Sequence, residues 1–228
     1  MLERLRGPFK RLIAPVARAM VAMGLSADAV TIIGAVGTII AAIATGVSGW
    51  LFTGALVMTV LVIFDSLDGS VAAMTTGGTA FGAFLDSTLD RIADWAVLAG
   101  VVVYFLIHTP WSASPATPPM TTSDVMGWIG LLAALYSIMT SFVTSYARAR
   151  AEAVGCEAKS GVATRSDRLT IILVGMGIAG LSGQDIILSL AMVVLAILGT
   201  ITVIQRVGEV RSQLPPRDDG TTPNALVG

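Results

Sequence analysis

Four aspartates carry the first chemical signal in this chain. Asp65 and Asp68 stand three residues apart and Asp86 and Asp90 four apart, in DSLDGSVAAMTTGGTAFGAFLDSTLD, with strongly apolar flanks on both sides. Residues three or four apart share a helix face. Each pair therefore points one way from its own helix, and a short turn around residues 75–79 would let the pairs face each other. An isolated acidic group at the centre of a membrane helix costs about 2.5–3.5 kcal/mol, less near the interface, and four together also repel one another. Only Arg91 lies adjacent in sequence. Divalent cations resolve the conflict. An all-oxygen donor set without cysteine or histidine suits magnesium, manganese or calcium. Two facing carboxylate pairs would hold two ions, an arrangement that stabilises the attacking and leaving oxygens of a phosphoryl transfer. Gly69 would admit a phosphate or nucleotide close to the backbone, and Gly82 would let the two aspartate-bearing helices pack tightly.

The elements that must position these groups are membrane helices. Hydrophobic residues make up 54% of the 228-residue chain and charged residues 13%, against about 25% in soluble domains, and mean hydropathy is +0.81. The composition predicts an all-α polytopic membrane protein. Apolar runs place six transmembrane helices near residues 30–47, 51–74, 81–107, 125–146, 169–181 and 186–204, several near the ~18–20 residues a bilayer requires. Residues 1–25 carry Arg4, Arg6, Lys10, Arg11 and Arg18, with Leu2, Leu5, Phe9, Leu12 and Val16 at helical spacing. They read as an amphipathic surface helix, bent or broken at Pro8 and Pro15. Residues 26–211 form the transmembrane domain, and 212–228, rich in turn formers, a disordered tail. The lone Cys156 has no partner with which to form an internal disulfide.

Charge asymmetry sets the orientation. The outer loops of this topology, near 46–50, 108–124 and 181–185, contain no lysine or arginine, and all 14 basic residues fall on the other side. That is the positive-inside pattern, and it predicts a multi-pass cell-membrane protein with both termini and the aspartates cytoplasmic. Asp65 lies 14 residues beyond Leu51, about 21 Å along a helix at ~1.5 Å per residue. The aspartates thus sit near the cytoplasmic ends of their helices, within reach of solutes.

The stretch resembles the signature of the CDP-alcohol phosphatidyltransferase family, DxxDGxxAR followed by GxxxDxxxD. Asp65, Asp68, Gly69 and Ala72 match its first half, and Gly82, Asp86 and Asp90 its second; the arginine expected after Ala72 is Ala73 here. The resemblance implies transfer of a phosphatidyl group from a CDP-linked lipid to a hydroxyl, with release of CMP. Asp65, Asp68, Asp86 and Asp90 would hold two magnesium ions, with manganese able to replace them, and Asp90 would also take the proton of the acceptor hydroxyl. The segment GLSADAVT is similar to the family's stretch before the first span. On that match Asp28, Ala29, Val30 and Thr31, with Gly69, Ala73 and Thr79, would line the CDP-diacylglycerol site, although Ser26 or Asp28 also reads as a plain helix N-cap.

The basic stretches SYARARAEAVG, KSGVATRSDR and VIQRVGEVR look most like those of actinobacterial phosphatidylinositol phosphate synthases within the family. On that match Arg148, Arg165 and Arg206 would converge on the phosphate of an inositol phosphate acceptor, although positive-inside bias alone also places arginines there. Same-family alternatives use glycerol 3-phosphate or free inositol. A different class, a divalent-cation transporter, predicts acidic groups near the midplane in two repeated halves; here they cluster on one side, with no second acidic half. Asp94 extends the Asp86–Asp90 row more deeply and reads as a partner to an arginine rather than a ligand. His108 and the tryptophans Trp50, Trp111 and Trp128 read as interfacial. Gly175, Gly177 and Gly180 suit close helix packing, the resemblance implies a homodimer, and nothing in the chain points to nucleic acid.

Overall fold

The computed structural model describes residues 15–65, 67–75, 77–109 and 121–214. The segment at 1–14, Trp111 and the tail beyond 214 lie outside the described residues. Among the described residues eight helices follow in order: α1 (15–22), α2 (Ala27–Ser48), α3 (Leu51–Asp65), α4 (Asp68–Met74), α5 (Ala80–His108), α6 (Thr122–Ala153), α7 (Arg165–Ser182) and α8 (Asp185–Gln213). Five stretches of the described residues are long and apolar enough to cross a membrane: α2, α3 with α4, α5, α6 and α8. Six such spans were expected. The remaining one, α7, has 18 residues and opens with Arg165, Asp167 and Arg168, so its apolar part is short; it packs between α3 and α8.

Large apolar side chains are turned outward along these helices, among them Ile40, Val60, Leu132 and Ile197, each more than half exposed. Such an apolar outer surface suits lipid and not water. The protein is a multi-pass, all-α membrane protein. Its main core runs through α3, α5, α6, α7 and α8 and contains Met58, Phe105, Ile172, Leu188, Met192 and Leu195. A smaller core holds Ala17 and Met20 of α1 against Val30, Leu67 and Val71. Val16, placed on the apolar face of the first helix by sequence, is 48% exposed, because α1 docks through Ala17 and Met20 instead.

Two expectations about helix packing change. First, the span carrying Asp65 and Asp68 is not one uninterrupted helix. It tightens to an i→i−3 hydrogen bond between Leu67 N–H and Phe64 C=O before α4 begins. Second, among the described residues α3 and α5 meet chiefly through their aspartates and not along their lengths. Helix α2 packs against both, most extensively against α5. Gly82 accordingly adjoins α2 and not α3: a Cβ there would lie 3.0 Å from Asp28 Oδ1. Where α2 crosses α5, a Cβ on Gly100 would lie 2.4 Å from the Ala42 carbonyl oxygen. Backbone cannot yield as a side chain can. Gly100→Val is therefore expected to destabilise the bundle by about 1–3 kcal/mol, read as a lowered Tm in detergent; an unchanged Tm would show that the crossing tolerates a side chain.

Two of the glycines of α7 admit neighbouring helices of the same chain. A Cβ on Gly180 would lie 2.4 Å from Phe52 N of α3, and one on Gly175 2.6 Å from Ala191 Cβ of α8. Cys156 is buried and free, in a small cluster with Ala151 and Ala158. His108, at the end of α5, stacks on Tyr104 with ring centroids 4.9 Å apart, and its Nε2 lies 3.2 Å from the Val47 carbonyl oxygen.

Candidate active site

Asp65 ends α3, while Asp86 and Asp90 lie one turn apart on α5. Each offers an oxygen within 4.8 Å of the others, and all three residues are partly buried. Asp68 stands outside this group. It opens α4, accepts from the Thr31 hydroxyl at 3.0 Å, and takes the backbone N–H of Gly69. Asp68 is tied to α2 but also stands beside Asp86, so the two pairs face each other across the gap, with oxygens of Asp65, Asp86 and Asp90 all within 4.8 Å of one another. Helix α2 comes close here too: a Cβ on Gly34 would lie 3.0 Å from Asp65 Oδ1.

One guanidinium reaches into the triad. Arg165 Nη2 lies 2.8 Å from Asp90 and 4.0 Å from Asp65, and Arg165 Nε lies 3.1 Å from Asp94. Three half-buried carboxylates exceed the charge of one arginine that is also shared with Asp94. The arrangement therefore fits a divalent cation held by hard oxygens. Asp65, Asp86 and Asp90 are the residues that would hold it.

Two cavities adjoin the triad. The first, of ≈ 470 Å³, lies between the start of α2, α4 and the start of α5. Asp28, Thr31, Gly69, Thr79 and Asp86 line it, as do Ser26 and Thr75. Ser26 is the N-cap of α2, its hydroxyl accepting from Ala29 N–H at 3.2 Å, and Thr79 caps α5 by accepting from Gly82 N–H at 2.9 Å. Two helix N-termini thus border this cavity, where their amide dipoles favour phosphate. A Cβ at Gly69 would meet no protein atom within 4 Å, so the space over it is open to a ligand. Of the other residues named for this site, Val30 is buried in the small core, while Ala29 and the exposed Ala73 lie outside the cavity lining. No lysine or arginine lines this cavity among the described residues.

The second cavity, of ≈ 620 Å³, carries the basic residues: Arg91, Arg148, Lys159, Arg165, Arg168 and Arg206. The sequence singled out Arg148, Arg165 and Arg206, and all three are on its wall. Arg148 is 48% exposed and pairs with Glu152 one turn on. Arg206 is buried; its Nη1 donates to Thr144 C=O at 2.6 Å and its Nε to Ser160 C=O at 3.1 Å. Arg168 was missed. It lies on the same face of α7 as Arg165, three residues on, and that spacing is the signal that could have found it.

Local sequence explains how α7 delivers its arginines. Asp167 accepts from the Thr164 N–H at 2.9 Å and from its hydroxyl at 2.6 Å, which fixes the first turn and the direction of Arg165. The preceding loop is held by one face of α8. Thr202 Oγ1 accepts from Ala163 N–H, Gln205 Oε1 from Val162, Glu209 Oε2 from Ser160 and Gln213 Oε1 from Glu157. These acceptors are three or four residues apart, a single stripe at helical period. The stripe satisfies four of the loop's backbone donors, while Lys159 and Arg165 line the cavity.

Residues 24–204 match the CDP-alcohol phosphatidyltransferase family. The chain is 35% identical over 218 residues to the phosphatidylinositol phosphate synthase of Cutibacterium acnes, covering 92% of this chain and 98% of that one. It is 38% identical over 224 residues to that of Mycobacteroides abscessus, covering 94% and 93%. The crystal structure of the Mycobacterium tuberculosis phosphatidylinositol phosphate synthase with CDP-DAG bound superposes with a TM-score of 0.76 at 36% identity, covering 88% of this chain and 94% of that one. The same synthase in complex with manganese and citrate gives 0.77 at 36%, covering 87% and 88%. With its carboxylate triad, its two flanking cavities and these matches, the chain belongs to the CDP-alcohol phosphatidyltransferase family.

Proposed function

We infer that the chain is a phosphatidylinositol phosphate synthase. It transfers the phosphatidyl group of CDP-diacylglycerol to a hydroxyl of inositol phosphate and releases CMP. The observation that carries this reading is the division of the site: Asp86 of the triad lines one cavity, and Arg165, which contacts Asp90 of the triad, lines the other. The two substrates would enter from different sides and meet at the aspartates.

In this reading the cavity at Asp28, Thr31, Gly69 and Thr79 takes the cytidine and pyrophosphate, with the two helix N-termini oriented toward the phosphates. Arg148, Arg165 and Arg206 take the acceptor's phosphate, a dianion suited to several guanidinium groups. The acceptor hydroxyl oxygen forms a bond to the phosphorus that bears diacylglycerol. The bond from that phosphorus to the CMP oxygen breaks, and the hydroxyl proton passes to Asp90. Asp65, Asp68, Asp86 and Asp90 would hold two divalent ions, which when bound polarise the phosphate oxygens and offset charge on the leaving group. A glycerol 3-phosphate acceptor would use the same cationic wall; free inositol would leave that wall without a phosphate. The charge asymmetry of the loops supports a cytoplasmic site and cytoplasmic termini.

The test is release of labelled CMP from CDP-diacylglycerol by the purified full-length protein with magnesium, using each acceptor in turn. Release with inositol phosphate and not with glycerol 3-phosphate or inositol is the expected result. Release with glycerol 3-phosphate alone would reassign the acceptor, and no release with any of them would end the reading.

A further inference from the structure

Asp94 is one helical turn deeper than Asp90 on α5, and the transfer chemistry does not use it. Its side chain is 8% exposed, and both of its oxygens are engaged. Oδ1 accepts from Arg165 Nε at 3.1 Å, and Oδ2 from Arg168 Nη2 at 3.0 Å. Arg168 is itself buried and reaches Ala163 C=O through Nη1 at 3.4 Å. A carboxylate gripped from both sides cannot rotate to follow either arginine. Arg165 differs from Arg168: a third of its side chain is exposed, it lines the basic cavity, and its Nη2 touches Asp90. One edge of the guanidinium is anchored at Asp94, and one corner stands at the boundary between the triad and the cavity.

We propose that Asp94 is a positioning residue that holds Arg165 by its Nε edge, so that the Nη2 corner is shared between Asp90 and the acceptor's phosphate and couples the two sites. This rests on the reading of the basic cavity as an acceptor-phosphate site. Arg165 and a divalent cation compete for the charge of Asp90. A cation on the triad repels Nη2 and takes its partner, while the anchor at Asp94 keeps the guanidinium at the cavity wall, where a phosphate can accept from it. Coupling of this kind is reciprocal: a phosphate that draws Arg165 away from Asp90 tightens cation binding by the factor by which the cation tightens phosphate.

The experiment measures Mn²⁺ binding to the full-length protein by electron paramagnetic resonance of the free ion, with and without inorganic phosphate, and separately the acceptor KM and kcat. In the wild type, phosphate is expected to tighten Mn²⁺ binding on the order of fivefold or more. Arg165→Gln removes the competing charge, so Mn²⁺ binds more tightly and phosphate no longer changes it. Asp94→Asn keeps the shape but loosens the anchor. It is expected to raise the acceptor KM on the order of tenfold, more than it lowers kcat, and to add nothing in the Arg165→Gln background. Asp94→Glu should restore part of the loss. An Asp94→Asn effect that persists undiminished without Arg165 assigns Asp94 to packing or to Arg168 and overturns the proposal. So does wild-type Mn²⁺ binding indifferent to phosphate, a measurement that needs no variant to fold. Because Mn²⁺ linkage is read without turnover, a protein that shows linkage but makes no product from inositol phosphate would refute the acceptor and spare the positioning role.

Discussion

Asp90→Asn is expected to lower turnover by ~10²–10⁴-fold while leaving CDP-diacylglycerol able to occupy its cavity. The separation follows from position. Asp90 belongs to the triad and contacts Arg165, but it does not line the cavity that holds Asp28, Thr31, Gly69 and Thr79. An amide preserves the shape of the side chain and removes its ability to take a proton. It also removes one negative charge from the triad, so divalent-cation affinity should fall, and part of the loss will be recovered at high magnesium. The remainder will not be, because saturating the cation does not replace a proton acceptor. The measurement is kcat at saturating magnesium beside equilibrium binding of CDP-diacylglycerol. Turnover within threefold of wild type would remove Asp90 from its assigned role. Asp86→Asn should differ in kind: Asp86 lines the donor cavity as well as the triad, so donor affinity should fall together with rate.

The spacing of Asp86 and Asp90 made one half of this triad legible in sequence, because both lie within one long helix where i,i+4 geometry holds. The other half was legible only in composition. Asp65 and Asp68 do not share a helix face, since α3 ends at Asp65 and α4 begins at Asp68, and no residue between them announces that break. The membrane helices were readable from apolar runs, but their order in space was not. That α2 packs against both aspartate-bearing helices depends on close approaches such as Gly34 to Asp65 and Gly100 to Ala42, and a glycine in sequence does not say which helix it admits. The arginines were found as a basic set on one side of the membrane. Their division of labour was not, because it depends on partners far away in sequence: Asp94 for Arg165 and Arg168, and Thr144 and Ser160 for Arg206.

Arg206→Gln is expected to be costly twice over, once in stability and once in acceptor binding. The guanidinium is buried and joins three elements: it sits on α8, bonds the Thr144 carbonyl of α6 and bonds the Ser160 carbonyl of the loop before α7. Hydrogen bonds from a charged donor contribute about 1.5–3 kcal/mol each. A shorter amide cannot span both carbonyls, so a loss of about 2–4 kcal/mol is expected, seen as a clear drop in Tm. The same loop carries Lys159 and leads into Thr164 and Arg165, so its loosening would misplace the other cations of the cavity. The acceptor KM should therefore rise by more than the loss of one contact explains, while CDP-diacylglycerol binding in the separate cavity stays near wild type. Arg206→Lys sharpens the test. It keeps the charge but not the planar fork that reaches two carbonyls at once, so it should recover part of the phosphate affinity and little of the stability. A lysine variant as stable as wild type would mean that the fork is not what ties the loop to α6. A glutamine variant with an unchanged acceptor KM would remove Arg206 from the cavity's working wall.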